Sequence, residues 1–156
     1  MKQELNLLDG YTPTNDLLND AKQIIEVSQK AAYRAVNLAL VQCNWLLGYR
    51  IAQEELKGEG RSEYGTAVIR KLAKELTAEY GKGFDYSSLY KYFRFYKLYP
   101  EIVDSVSPQS GALLSWTRYR VLLQVEDKTA RDWYTKEAAN QIQAVLAHGR
   151  RTARGD

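Results

Sequence analysis

The sequence predicts an all-α fold, and three observations carry that reading. Apolar residues recur at three- and four-residue steps over most of the chain, the period of an amphipathic helix. Residues that start and stop helices stand at the ends of those runs: Asp85 and Ser115 at starts, Gly81, Gly83 and Pro100 at ends. No segment alternates apolar and polar residues convincingly, although 58–63 and 101–113 leave room for a short hairpin. The expected architecture is a helical domain with one long N-terminal helix and a helix-turn-helix-like pair.

Residues 1–13 show little periodicity and read as a flexible N-terminal arm. Thr14 or Asn15 can cap the first helix. From Asp16 the apolar spacing runs through Leu17, Ala21, Ile25, Ala32 and Val36, then through Trp45, Tyr49 and Ile51 to about Lys57. No proline interrupts it, and Gly48 is its one weak point. An unbroken helix of this span is roughly 60 Å long, longer than a small domain is wide. Either it kinks near Gly48, or part of it packs against another chain in a homo-oligomer. The alternative is one long helix wrapped by its own domain. The lone Cys43 reads as a buried, inert thiol, since no basic or His-rich setting surrounds it.

Gly58 to Glu63 is a polar loop, and the helix pair follows. Val68, Leu72, Leu76 and Tyr80, with Ile69 and Ala73, form one apolar face from about Tyr64 to Tyr80. Gly81 and Gly83 end that helix, because Gly accepts the left-handed backbone found at helix ends. Asp85 caps a second helix, about Tyr86 to Tyr99, which stops before Pro100. On it Leu89, Phe93 and Tyr96 are assigned to the core, flanked by Tyr92 and Tyr99. Ser87, Lys91, Arg94 and Lys97 line another face, with Tyr86 and Tyr90 close by. Cations, hydroxyls and rings together suit contacts to phosphates and base edges. The plainer reading is a solvated basic face on a core helix, since many such faces bind nothing.

After a Pro- and Ser-rich break at 101–111, Ser115 caps a short helix, about Trp116 to Gln124. Trp116, Tyr119, Leu122 and Leu123 form its apolar side. Arg118 and Arg120 project elsewhere and are candidates to extend the basic surface. Glu126 and Asp127 make a turn. A last helix runs from about Lys128 to Asn140, with Ala130, Trp133, Tyr134 and Ala138 inward. The helical domain is placed at 14–141. Residues 142–156 read as a divergent basic tail, disordered and solvated, with Arg150, Arg151 and Arg154.

Composition bounds function. A chain of 156 residues suits one domain with a real core. The net charge of +3 is too mild to demand a polyanionic partner, but Lys and Arg outnumber Asp and Glu between Tyr64 and Pro100. One Cys cannot form an intramolecular disulfide and fits a reducing cytoplasm. No signal peptide or membrane span is visible, so no membrane partner is expected.

Enzyme signatures fare no better. Metal-dependent hydrolysis needs clustered carboxylates around a hard cation. Glu54–Glu55 and Glu126–Asp127 are adjacent pairs that read as solvated, and His148 stands in the tail without a partner. Gly58 and Gly60 do not follow a strand, so no nucleotide loop is assigned. No cofactor and no metal are expected.

An ordered set of motifs remains. It comprises Trp45-Leu46-Leu47-Gly48-Tyr49-Arg50-Ile51, Tyr64-Gly65 with Leu72-Ala73-Lys74-Glu75-Leu76, and Gly83-Phe84-Asp85-Tyr86-Ser87-Ser88-Leu89. It continues with Arg94-Phe95-Tyr96, Leu114-Ser115-Trp116-Thr117-Arg118-Tyr119 and Arg131-Asp132-Trp133-Tyr134. Across residues 15–141 the chain resembles the N-terminal domain of the YhcG family, bacterial proteins of the PD-(D/E)XK nuclease superfamily. In that family a C-terminal nuclease domain follows, and this chain stops where that domain would begin. Residues after about Gln141 also depart from the family pattern, which opens another helix with Trp-Ser or Trp-Thr.

The resemblance implies a nuclease-associated module, non-catalytic by itself, that binds nucleic acid, DNA above all. The contacts are expected from Ser87, Lys91, Arg94, Lys97, Tyr86, Tyr90, Arg118 and Arg120. A separate nuclease is a candidate partner. DNA-binding helix-turn-helix motifs favour Ala four residues before the turn Gly. Here Thr77 precedes Gly81 and Glu79 precedes Gly83, so that motif's docking geometry is not carried over. The alternative is an oligomerisation or partner-recruitment module acting through the long helix.

Overall fold

The computed structural model describes residues 10–59, 61–102 and 114–153. Among the described residues five helices follow one another: α1 (Leu17–Leu56), α2 (Ser62–Tyr80), α3 (Tyr86–Leu98), α4 (Trp116–Leu122) and α5 (Lys128–Ala153). No strand occurs among the described residues, and 58–59 and 61–63 form turn and helix instead of a hairpin. Residues 103–113, the other candidate hairpin, and residues 1–9 of the N-terminal arm lie outside the described residues.

The cap of α1 is Asp16, whose carboxylate accepts from the Leu18 N–H at 3.1 Å. Thr14 braces that cap as an acceptor for the Asp16 N–H at 3.2 Å, and Asn15 takes no part. Tyr11 donates to Asp20 at 3.3 Å, so the segment just before α1 lies along its first turns.

The helix runs unbroken through Gly48. Gly48 is buried, and a Cβ there would meet the Tyr92 carbonyl group, whose carbon would lie only 2.6 Å away. The glycine is where α1 and α3 cross, and it lets the two backbones touch. α3 is accordingly the main partner of α1.

The fully buried residues of α1 all lie in its C-terminal part, at Val41, Asn44, Trp45, Gly48, Ile51 and Ala52. Two clusters use this stretch. One gathers Val41, Trp45, Phe95, Leu114, Tyr119 and Leu122; the other gathers Ile51, Ile69, Ala73, Leu89 and Tyr92. Trp116 packs against both. The buried stripe of α3 is therefore Leu89, Tyr92 and Phe95. Phe93 and Tyr96, assigned to the core by the sequence reading, are only partly buried beside it. Phe95 is the hub: its ring lies 4.8 Å from Tyr119, 5.2 Å from Trp116 and 5.7 Å from Tyr99, centroid to centroid.

Polar groups tie the aromatic layer together. The Trp45 indole donates to the Tyr99 carbonyl at 2.9 Å, and the Tyr99 hydroxyl pairs with that of Thr135 on α5 at 2.9 Å. The Tyr92 hydroxyl donates to the Gly83 carbonyl at 2.8 Å, anchoring the α2–α3 turn to the core.

Three sequence expectations change. Cys43 is exposed, because it lies on the side of α1 turned away from Val41, Trp45 and Gly48. Trp133 and Tyr134 are exposed on α5. Arg131 is buried instead, its guanidinium donating to the Val125 carbonyl at 3.0 Å, while Ala138 and Ala139 pack on the core. Finally, α5 continues helical to Ala153, well past Asn140. No proline interrupts it, and Ala, Gln and Arg are good helix formers.

Candidate nucleic-acid interface

α3 carries Lys91, Arg94 and Lys97 and no carboxylate. Its cap fixes its start: the Asp85 carboxylate accepts from the Ser88 N–H at 3.3 Å. Hydrogen bonding from Ser88 holds the Asp85 carboxyl below its ordinary value, with a smaller contribution from the nearby Lys91 charge. The turn before it uses two glycines at positive φ, Gly81 at 80° and Gly83 at 100°. Leu89, Tyr92 and Phe95 face the core, so the opposite side of the helix faces out.

On that outer side Tyr86, Ser87, Tyr90 and Lys97 are exposed, and Lys91 and Arg94 are half-buried. The rings form a row. Tyr86 and Tyr90 lie parallel, 6.3 Å apart at an interplanar angle of 6°, and Phe93 stands 6.3 Å beyond Tyr90. A cation closes each end. The Lys97 ammonium is 5.4 Å from the Phe93 ring centroid, and the Arg70 guanidinium is 5.8 Å from that of Tyr86. Arg70 comes from α2 and did not figure in the sequence reading. Nothing in its local spacing marks it; only the fold of the α2–α3 turn brings it over Tyr86.

The other predicted pair is placed elsewhere. Arg118 and Arg120 are exposed on α4, flanking Tyr119 on opposite sides of that helix. α4 packs through Trp116 and Tyr119 against Tyr92 and Phe95, the buried side of α3. No described contact joins either arginine to the outer face of α3.

One member of each adjacent carboxylate pair, Glu54 and Asp127, is engaged in local structure, while Glu55 keeps a buried oxygen without a partner. Glu54 bonds Lys57 at 3.0 Å and Arg50 at 3.1 Å, and the Lys57 bond above all lowers its pKa. The Asp127 carboxylate accepts from the Thr129 N–H at the start of α5. Among the described residues no three His, Cys, Asp or Glu side chains converge as a cation site. Nor is any described helix long and apolar enough to cross a membrane.

Comparison with known proteins places the family. Residues 20–147 match the DUF1016 N-terminal domain. The chain belongs to that family. It is also 28% identical over 109 residues to an Escherichia coli (strain K12) protein named "Putative nuclease YhcG". That alignment covers 69% of this chain and 29% of the E. coli protein, so the chain corresponds to less than a third of that relative. No solved structure matches. The YhcG resemblance read from the motifs therefore holds. The DUF1016 N-terminal domain match also crosses position 141, taking in part of what the sequence reading set aside as a tail.

Proposed function

We propose that this DUF1016 N-terminal domain binds nucleic acid through the outer face of α3, as a non-catalytic module of a nuclease-associated protein. The observation that carries the proposal is a helix face with three cations, three rings and no carboxylate. No ion pair or hydrogen bond within the described residues engages the Lys91, Arg94 or Lys97 head groups, and Lys97 makes only a ring contact with Phe93. The relative's name supplies the nuclease context. Arg118 and Arg120, on α4, are at most a secondary contact.

The test is fluorescence anisotropy of labelled DNA across a salt series. Binding is expected to weaken steeply with salt, as phosphate contacts require. Arg94→Ala is expected to weaken it at least several-fold with the helical content unchanged. Unchanged affinity would remove α3 from the site.

A separate observation favours a second role, self-association. Leu17, Leu18, Ile25, Tyr33, Val36 and Leu40 are exposed on α1, Leu17 by 84%. Leu18, Ala21, Ile25, Ala32, Ala39 and Leu46 also fall on a seam of alternating three- and four-residue steps, completed by Ser28, Ala35 and Gln42. The seam carries Leu at both ends and small residues at 28, 32, 35 and 39. A second copy running antiparallel would meet the same pattern. Sedimentation at high micromolar concentration is expected to show a dimer that Ala32→Glu disrupts; a strict monomer would rule the second role out.

A further inference from the structure

The row of rings on α3 narrows the ligand class. Resting on the nucleic-acid reading above, we propose that this face takes a single strand. Its bases stack along Tyr86, Tyr90 and Phe93 while Arg70, Arg94 and Lys97 hold its phosphates.

Three features of the α3 face converge on this. First, two rings are displayed outward, Tyr86 and Tyr90, exposed and parallel, and the half-buried Phe93, tilted 35° to Tyr90, continues the row. A ring can stack only on a base whose face is free, and the faces of duplex bases are already covered by their neighbours. Second, Tyr86–Leu98 contains no Asn or Gln, so adenine edges have no amide reader on this helix, and its cations stand beside the rings as phosphate partners. Stacking platforms flanked by cations are the arrangement that suits unpaired strands. Third, the row is held ready. The Asp85 cap and the bond from Tyr92 to Gly83 fix α3 against the turn, which sets Arg70 of α2 over the end of the row.

The cations over Tyr86 and Phe93 do not block this role. At exposed sites such contacts are weak beside base stacking, so a base can replace the cation on the ring. The displaced Arg70 or Lys97 then remains beside the strand, where the phosphates run.

The experiment compares a labelled single strand of roughly 15 nucleotides with its own duplex, a length near the upper site size of such platforms. Anisotropy is read at ~50 mM salt, where the phosphate contribution is strong. The variants are Tyr86→Ala/Tyr90→Ala, Tyr86→Phe/Tyr90→Phe and Arg94→Ala, each checked for helical content. The single strand is expected to bind about tenfold tighter than the duplex or better, and the double Ala variant to lose about tenfold or more of that affinity. The double Phe variant, which keeps the rings, is expected to retain it. Equal affinity for both forms, with the double Ala variant unaffected and Arg94→Ala weakened, would overturn the single-strand inference and leave the nucleic-acid reading standing. Absence of binding to either form would overturn both.

Discussion

The backbone of Tyr92 occupies the space that a side chain at Gly48 would fill. In isolation Gly48→Ala favours the helix by about 1 kcal/mol. Here the added Cβ meets backbone, which cannot swing aside, so α1 and α3 must separate. The variant is expected to be destabilised by ~1–3 kcal/mol, the usual range for overpacking. Urea denaturation checks this. A variant as stable as the parent would mean the helices do not approach so closely.

Phe95 has no solvent exposure and touches Tyr99, Trp116 and Tyr119. Its truncation leaves a cavity where α3, α4 and the 99–102 segment meet. Phe95→Ala is expected to cost ~3–5 kcal/mol and Phe95→Leu distinctly less. Phe93→Ala, on the half-exposed side, is expected to cost less than Phe95→Ala. The reverse order in thermal denaturation would restore the core assignment made from sequence.

Burial pushes the Tyr119 hydroxyl up to about 12 from 10.0. The raised value means the folded state holds its proton longer than the unfolded chain does. Stability from this group is therefore complete below pH 10 and declines as pH rises from 10 toward 12. An ultraviolet phenolate titration of the parent and Tyr119→Phe is expected to show one late-titrating tyrosine missing from the variant. Stability in the same pH window is expected to fall less in Tyr119→Phe, which gives up only a long 3.5 Å bond from the Leu114 N–H.

Asp85 starts α3, and Asp85→Ala is expected to cost ~0.5–2 kcal/mol, as lost N-caps do. Its lowered pKa makes the cap fully effective above the ordinary value of 3.8, and the contribution fades as pH falls through the lower folded value. The carboxylate is exposed, so solvent screening keeps the pH-linked part small. Asp85→Asn is expected to retain most of the cap and lose its acid dependence, measurable by circular dichroism between neutral pH and pH 2–3, a range set by that ordinary value of 3.8.

The local signals were legible. Asp85 and Ser115 cap where their side chains and positions say they must, and Gly81 and Gly83 take positive φ at the turn. Facing was harder to read. Between Tyr86 and Tyr99 nearly every second residue is aromatic, so two overlapping stripes fit the helical period. Contact with Trp116 and Tyr119, far along the chain, selects the one through Phe95. Gly48 looked like a weakness because propensity sees only its own helix, whereas its role lies in the backbone of α3. The setting of Cys43, neither basic nor His-rich, speaks to its reactivity and not to its burial; it sits on a side of α1 that the core does not cover. Arg70 escaped notice for a similar reason, since its partner ring belongs to the next helix.

One consequence of how α1 is seated concerns time. The helix is continuous from Leu17 to Leu56, yet its buried positions begin at Val41. Amide protons over the buried stretch from Val41 to Ala52 are expected to exchange with deuterium only when the domain opens. Those from Leu17 to Leu40 need only a local fraying of turns, which costs far less free energy. A single rod by geometry is thus two segments by exchange lifetime, with the boundary about two turns before Gly48.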